Sequence, residues 1–154
     1  MKPADSLKRL VELEKQLKIA KQAKVKVGVM ASKVGGAIYG DGMTILGIAA
    51  IHEYGLGHNP QRSFLRTPFI INNKEIKAFI GKQFDRVMSG KSNTDRAMHF
   101  IGIYATNLSK ASFRNDGYGQ WQDIQQATKN AKGSDRILLD TGTLRNSITY
   151  EVKL

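Results

Sequence analysis

The chain of 154 residues contains no cysteine. That excludes a disulfide scaffold, a thiol nucleophile and any cysteine-ligated zinc or iron–sulfur site. Histidine is scarce, at three residues, and tryptophan occurs once. No apolar run approaches the roughly 20 residues a membrane-crossing helix needs. The start, Met1 to Gln16, is too charged for the apolar segment of a signal peptide, so a soluble protein that is not secreted by the usual route is expected. Acidic residues are also few. Thirteen face 24 lysines and arginines, for a net charge of +11.

What is present suits one globular domain, residues 1–154. The hydrophobic fraction is 41% and the charged fraction 24%, which is ordinary for a chain able to bury its own core. The positive charge is uneven. Residues 1–40 hold nine basic and three acidic groups, more than half of the surplus. Such a balance favours polyanionic partners. Lys8, Lys15, Lys18, Lys24 and Lys26 are the candidate DNA- or partner-facing residues.

Periodicity supplies the elements. Asp5 or Ser6 can cap a helix from Leu7, with Leu10, Leu13, Leu17 and Ala20 as one apolar stripe. That stripe suits packing on the chain's own core or on a neighbouring subunit. Val25, Val27 and Val29 alternate with Lys24, Lys26 and Gly28, as in a half-buried strand. A glycine-rich stretch, 33–42, reads as a mobile loop. Thr44 and Gly55 bracket a short helix, and the stretch from Leu56 to Phe69 reads as a loop. A helix from Asn72 or Asn73 carries Ile76, Phe79, Ile80, Phe84, Val87 and Met88. Another, from Ser92 or Asn93, carries Met98, Ile101, Ala105 and Leu108. Residues 115–136 are polar and read as a second mobile segment. There the lone Trp121 either docks on the core or serves as an interface anchor. Ile148, Tyr150 and Val152 form a closing strand. The expected fold is α+β: a small, mainly antiparallel sheet packed with about three to four helices, with long flexible loops.

Two catalytic readings fail on spacing. The run Leu138-Leu139-Asp140-Thr141-Gly142-Thr143 matches the aspartic protease signature, whose paired carboxylates share a proton. It lies 14 residues from Leu154, with no second copy and no room for a cleft and flap. Asp140 and Thr141 are better read as ending a loop and capping a short helical turn. His52 and His58 stand six apart with two glycines between them, whereas a zinc protease helix needs four. No catalytic residue, metal or cofactor is expected.

Four stretches taken in order, "KVKVGVMAS", "AAIHEYG", "PQRSFLRTPF" and "WQDIQQATKNAKGSDRILLDTGTLRNSITYEV", resemble the tail-completion, or virion morphogenesis, proteins of long-tailed bacteriophages. The resemblance covers residues 24–152. The amphipathic helix of residues 1–23 lies outside it. The matching positions are Ala49, His52, Glu53, Tyr54 and Gly55; Pro60, Arg62, Phe64, Leu65 and Arg66; and Leu139, Asp140, Thr141, Gly142, Leu144, Ser147 and Ile148. Gln61 departs from the small residue usual there, and the segment between Gly55 and Pro60 is short.

The resemblance implies a non-enzymatic structural protein of the head–tail junction. It implies a ring, commonly of six copies, joining the connector to the tail terminator or tube and surrounding the DNA channel. DNA contact would be non-specific, no membrane would be involved, and the protein would reside in the virion after assembly in the host cytoplasm. The rival expectation is a basic nucleic-acid-binding module acting outside the virion.

Overall fold

The computed structural model describes residues 3–34, 36, 38, 42–125, 130, 137–138 and 142–154. The elements run α1 (Pro3–Gln22), β1 (Lys24–Val29), α2 (Ala31–Val34), α3 (Ile45–Tyr54), α4 (Arg66–Ile71), α5 (Asn73–Met88), α6 (Thr94–Ala111), α7 (Asp116–Gly119), α8 (Thr143–Ser147) and β2 (Ile148–Lys153). The fold is α+β, with a two-stranded antiparallel sheet.

The two strands come from opposite ends of the chain. Val25 pairs with Val152, Val27 with Tyr150 and Val29 with Ile148, which gathers the apolar side chains on one face. That face packs on α6, which also touches α1, α4 and α5. α6 starts where the Asn93 side chain accepts from the Arg96 N–H, with Asp95 in the first turn.

The most buried stripe of α6 is Thr94, Ala97, Met98, Gly102, Thr106 and Ser109. It differs from the expected Met98, Ile101, Ala105 and Leu108, of which all but Met98 are half-buried. Small residues win because three neighbours approach the helix closely. The Tyr150 ring lies over Gly102. The Thr94 hydroxyl donates to the Gln16 carbonyl oxygen at 2.9 Å, and the Ser109 hydroxyl to that of Phe64 at 2.7 Å. α5 follows its pattern, with Phe79 stacked on Tyr104 at 4.2 Å, except that Met88 is exposed.

α1 begins at Pro3, four residues before the expected Leu7. A proline suits a helix's first turn, since its missing N–H would have no partner there. The apolar stripe of α1 is only half covered. Leu13, Gln16, Ile19 and Ala20 turn inward, while Leu10 and Leu17 are exposed along with Leu7 and Val11. Polar hooks fasten the helix. Gln16 caps α6 by accepting from the Thr94 N–H at 2.7 Å, and Arg9 donates to the Ser89 carbonyl oxygen.

The core brings together Ile45, Ala49, Phe64, Phe113, Trp121, Ile137, Leu144 and Ile148. Trp121 is therefore a core residue, not an interface anchor. Its ring meets Phe113 edge-on at 5.5 Å, and its indole N–H donates to the Ser63 carbonyl oxygen. The described part of the expected mobile segment 115–136 is a tight turn. Asp116, Gly117, Tyr118 and Gly119 all have positive φ. Gly117 is required there, because a Cβ would overlap the indole of Trp121. Residues 126–136 of that segment, apart from Asn130, lie outside the described residues, as does much of 33–42. The described residues there include the end of α2 and an isolated bridge between Ile38 and Thr44.

Candidate functional site

α3 opens as its sequence predicts. The Thr44 hydroxyl accepts from the Gly47 N–H, and Gly55 ends the helix in a left-handed conformation at φ 68°. Glycine is needed at 55 twice over. The backbone angle disfavours a side chain, and a Cβ would meet the Gln61 backbone at 3.0 Å. This folds the chain back, so that the Arg62 N–H donates to the His52 carbonyl oxygen at 2.8 Å. The Gln61 amide donates to the carbonyl oxygen of Glu53.

Glu53 then becomes the centre of the returning loop. It is 3% exposed, and both carboxylate oxygens are occupied. Oε2 accepts the N–H groups of Phe64 and Leu65 at 2.9 Å. Oε1 accepts the Ser63 hydroxyl at 2.8 Å, the Arg66 N–H at 3.1 Å and the Arg66 guanidinium at 3.0 Å. The carboxylate supplies what the start of α4 lacks, since Leu65 offers no side-chain cap. This is why 66–71 is helical where a loop was expected: the cap comes from a residue 12 positions upstream of Leu65.

Arg66 also donates to the Glu53 backbone carbonyl and lies 4.7 Å over the Tyr54 ring. Charge-assisted bonds of this number make Glu53 a positioning group. Its carboxylate has no oxygen left for acid–base work.

Arg62 is 7% exposed and holds the next segment. Its guanidinium donates through two nitrogens to the Gln122 carbonyl oxygen at 3.3 and 3.2 Å. Burial pushes its pKa below the ordinary arginine value, and the charge of Asp123 pulls it back. Phe64 is fully buried against Phe113 at 5.4 Å. Tyr118 donates to the Leu108 carbonyl oxygen. Burial pushes its phenol above the usual value, with an opposing contribution from Asn72.

The third signature closes on the same centre. Leu144 and Ile148 join Ala49 in the core, and the Ser147 hydroxyl donates to the Leu144 carbonyl oxygen at 2.6 Å. α8 has Gly142 at its N-terminal cap position, in a left-handed conformation at φ 75°, and the cap expected from Asp140 and Thr141 falls on residues outside the described ones. Leu139, Asp140 and Thr141 themselves lie outside the described residues. Pro60 is half-buried in the loop before the Glu53 bonds begin.

The structure thus unites the signature residues it describes in one hub. Lys8, Lys15, Lys18, Lys24 and Lys26 are all exposed. Lys18 is paired with Glu14 at 2.7 Å. Gly102, Ser109 and the Gln16–Thr94 pair are positions that sequence reading missed. Their partners are 45 to 78 residues away, so no local signal announces them. Among the described residues, no group of three His, Asp or Glu side chains could hold a metal ion, and no helix is long and apolar enough to cross a membrane. No protein-family model, curated protein or solved structure matches the chain.

Proposed function

We propose that this protein is a structural component of a bacteriophage head–tail junction, a tail-completion or neck protein that acts by assembly and not by catalysis. One observation carries the reading. Leu7 (64% exposed), Leu10 (62%), Val11 (60%) and Leu17 (44%) stand on one helix with no covering element among the described residues. Burying such side chains is worth about 1.5–3 kcal/mol each when complete. A helix held by polar hooks and showing leucines outward suits a subunit contact.

The signature hub supports the same reading. Its residues occupy one another, which leaves recognition to the surface. In this reading the copies form a ring, six by resemblance, between the connector and the tail terminator or tube, around the DNA channel. The virion is its final location.

The test is composition and imaging of purified virions from the phage genome that encodes the chain. The expected result is this polypeptide in the particle, in ring stoichiometry, with density at the neck. Its absence from purified virions would overturn the reading. The second reading, a basic nucleic-acid-binding module acting outside the virion, draws on the exposed lysines of β1. It predicts tight duplex binding by a monomer that never enters the particle.

A further inference from the structure

The sheet has a second face, turned away from α6. Strand alternation places Lys24, Lys26 and Gly28 on it from β1, and Thr149, Glu151 and Lys153 from β2. Lys24, Lys26 and Lys153 are exposed. The register sets Lys24 directly opposite Lys153. Like charges in that position weaken strand pairing, so the pair works against the fold that contains it. Lys26 is opposite Glu151, the only carboxylate among the strand residues on that face, and Glu151 already accepts the Ser32 hydroxyl at 2.7 Å. Lys33, exposed on α2, is the residue after Ser32.

We propose that this outward sheet face is a contact surface for the phosphate backbone of duplex DNA, with Lys24, Lys26 and Lys153 as the phosphate-binding groups. The chemistry of the face selects the partner. Gly28 is buried with Leu65 beside it, but the exposed end, at Lys24, Lys26 and Lys153, has no large apolar or aromatic side chain from its own strands, which the centre of a protein interface needs. The same lack removes stacking on unpaired bases and insertion into a lipid surface. Its lysines act as point charges, without the planar forks of Arg, Asn or Gln, so the contact is with phosphate and independent of sequence. Lysines on one strand face repeat about every 7 Å. A duplex offers a charge per ~1.7 Å of its axis, so it meets that spacing in any register.

The inference deepens the junction reading by naming the surface that would meet the DNA, and it rests on that reading only for which DNA is met. The experiment is binding of the full chain to a short fluorescent duplex across a salt series. The parent is compared with Lys24→Gln/Lys26→Gln/Lys153→Gln and with Lys8→Gln/Lys15→Gln/Lys18→Gln, which removes equal charge from α1. Circular dichroism checks that each variant is folded.

The sheet variant is expected to flatten the slope of log affinity against log salt by about 0.9 per lysine removed. The α1 variant should change it far less, and a scrambled duplex should bind equally well. Equal loss in both variants would reduce the effect to net charge and overturn the proposal, as would an unchanged slope or a preference for one sequence. Vesicles containing phosphatidylserine form the last arm. Vesicle binding that is lost in the sheet variant, with duplex binding intact, would assign the face to a membrane and overturn the proposal. A protein found in virions whose sheet variant binds DNA like its parent would sink this inference alone. The converse result, sheet-dependent binding by a protein absent from virions, would sink the junction reading alone.

Discussion

The ring of Tyr150 occupies the space that a side chain at Gly102 would fill. β2 therefore lies on α6 at the distance of a glycine, and the tyrosine hydroxyl reaches His99 Nδ1, one turn earlier, at 3.2 Å. Two opposing effects meet at this position. Alanine would improve helix propensity by up to about 1 kcal/mol. The overlap with a ring held between helix and strand costs about 1–3 kcal/mol. The overlap wins because β2 is anchored along its length by β1. Gly102→Ala is expected to destabilise the protein by up to about 2 kcal/mol, the difference of those figures. Gly102→Ala with Tyr150→Ala should fall short of the sum of the single effects, as chemical denaturation of the four proteins would reveal.

Glu53 tests the hub. Glutamine keeps its size but replaces one acceptor oxygen with an N–H₂ group. That group would point at donors, and Arg66 would lose its charge partner. Glu53→Gln is expected to cost about 1–3 kcal/mol, as for buried donors left without an acceptor, since the Arg66 charge is half-exposed and screened by solvent. The loss would be read as a lower denaturation midpoint, and amide exchange at Phe64, Leu65 and Arg66 should accelerate. Full protection at those three amides would contradict the capping role.

Tyr118 gives a pH dependence. Its pKa is raised in the folded chain from 10.0 by burial. Above pH 10 the unfolded chain therefore releases the proton first, so stability present below that pH falls as pH rises towards the folded value. Tyr118→Phe should lose about 1 kcal/mol at neutral pH, from the hydrogen bond to Leu108. It should also show a shallower decline in alkali. Thermal unfolding of the parent and Tyr118→Phe, compared at each pH from neutral to above pH 10 so that the lysine titration common to both cancels, would measure both. Parallel declines would remove Tyr118 from the account.

The α1 leucines separate folding from association. Leu7→Ser/Val11→Ser changes two side chains already exposed to water, so unfolding should move by less than about 0.5 kcal/mol. Self-association should weaken. A net charge of +11 opposes association and is screened by salt, so oligomer formation by the parent should rise with ionic strength. Light scattering across a salt and concentration series would follow it. An oligomer indifferent to the double substitution would move the contact away from α1.

Much of the secondary structure was legible because it is written locally. Thr44 and Gly55 announce the ends of α3, and Asn93 announces the start of α6. The alternating valines and the C-terminal Ile-Thr-Tyr-Glu-Val run announce the two strands, and the register joins them as expected. α4 was not legible, since its cap is Glu53 on another helix. The burial of α6 was misread for a related reason. Hydropathy ranks Ile101 and Leu108 above Gly102 and Ser109, whereas closeness of approach ranks them in reverse. Trp121 sits among polar neighbours in sequence, and only the left-handed turn at Gly117 brings its ring into the core.

The sequence by itself determined α1, α3, α5 and α6, the two strands, the excess of positive charge and the order of the signature stretches. Each of these depends on residues within a turn or two of one another, or on composition. Only the tertiary structure decided that the signature stretches are a single hub around Glu53, that Leu10 and Leu17 face outward and that Lys24 stands opposite Lys153. Those outcomes depend on contacts that no single turn spans, from 10 residues apart within the hub to 78 between Gln16 and Thr94 and further still across the sheet. Distances of that kind are set by packing and by the satisfaction of buried polar groups, neither of which has a period in the chain.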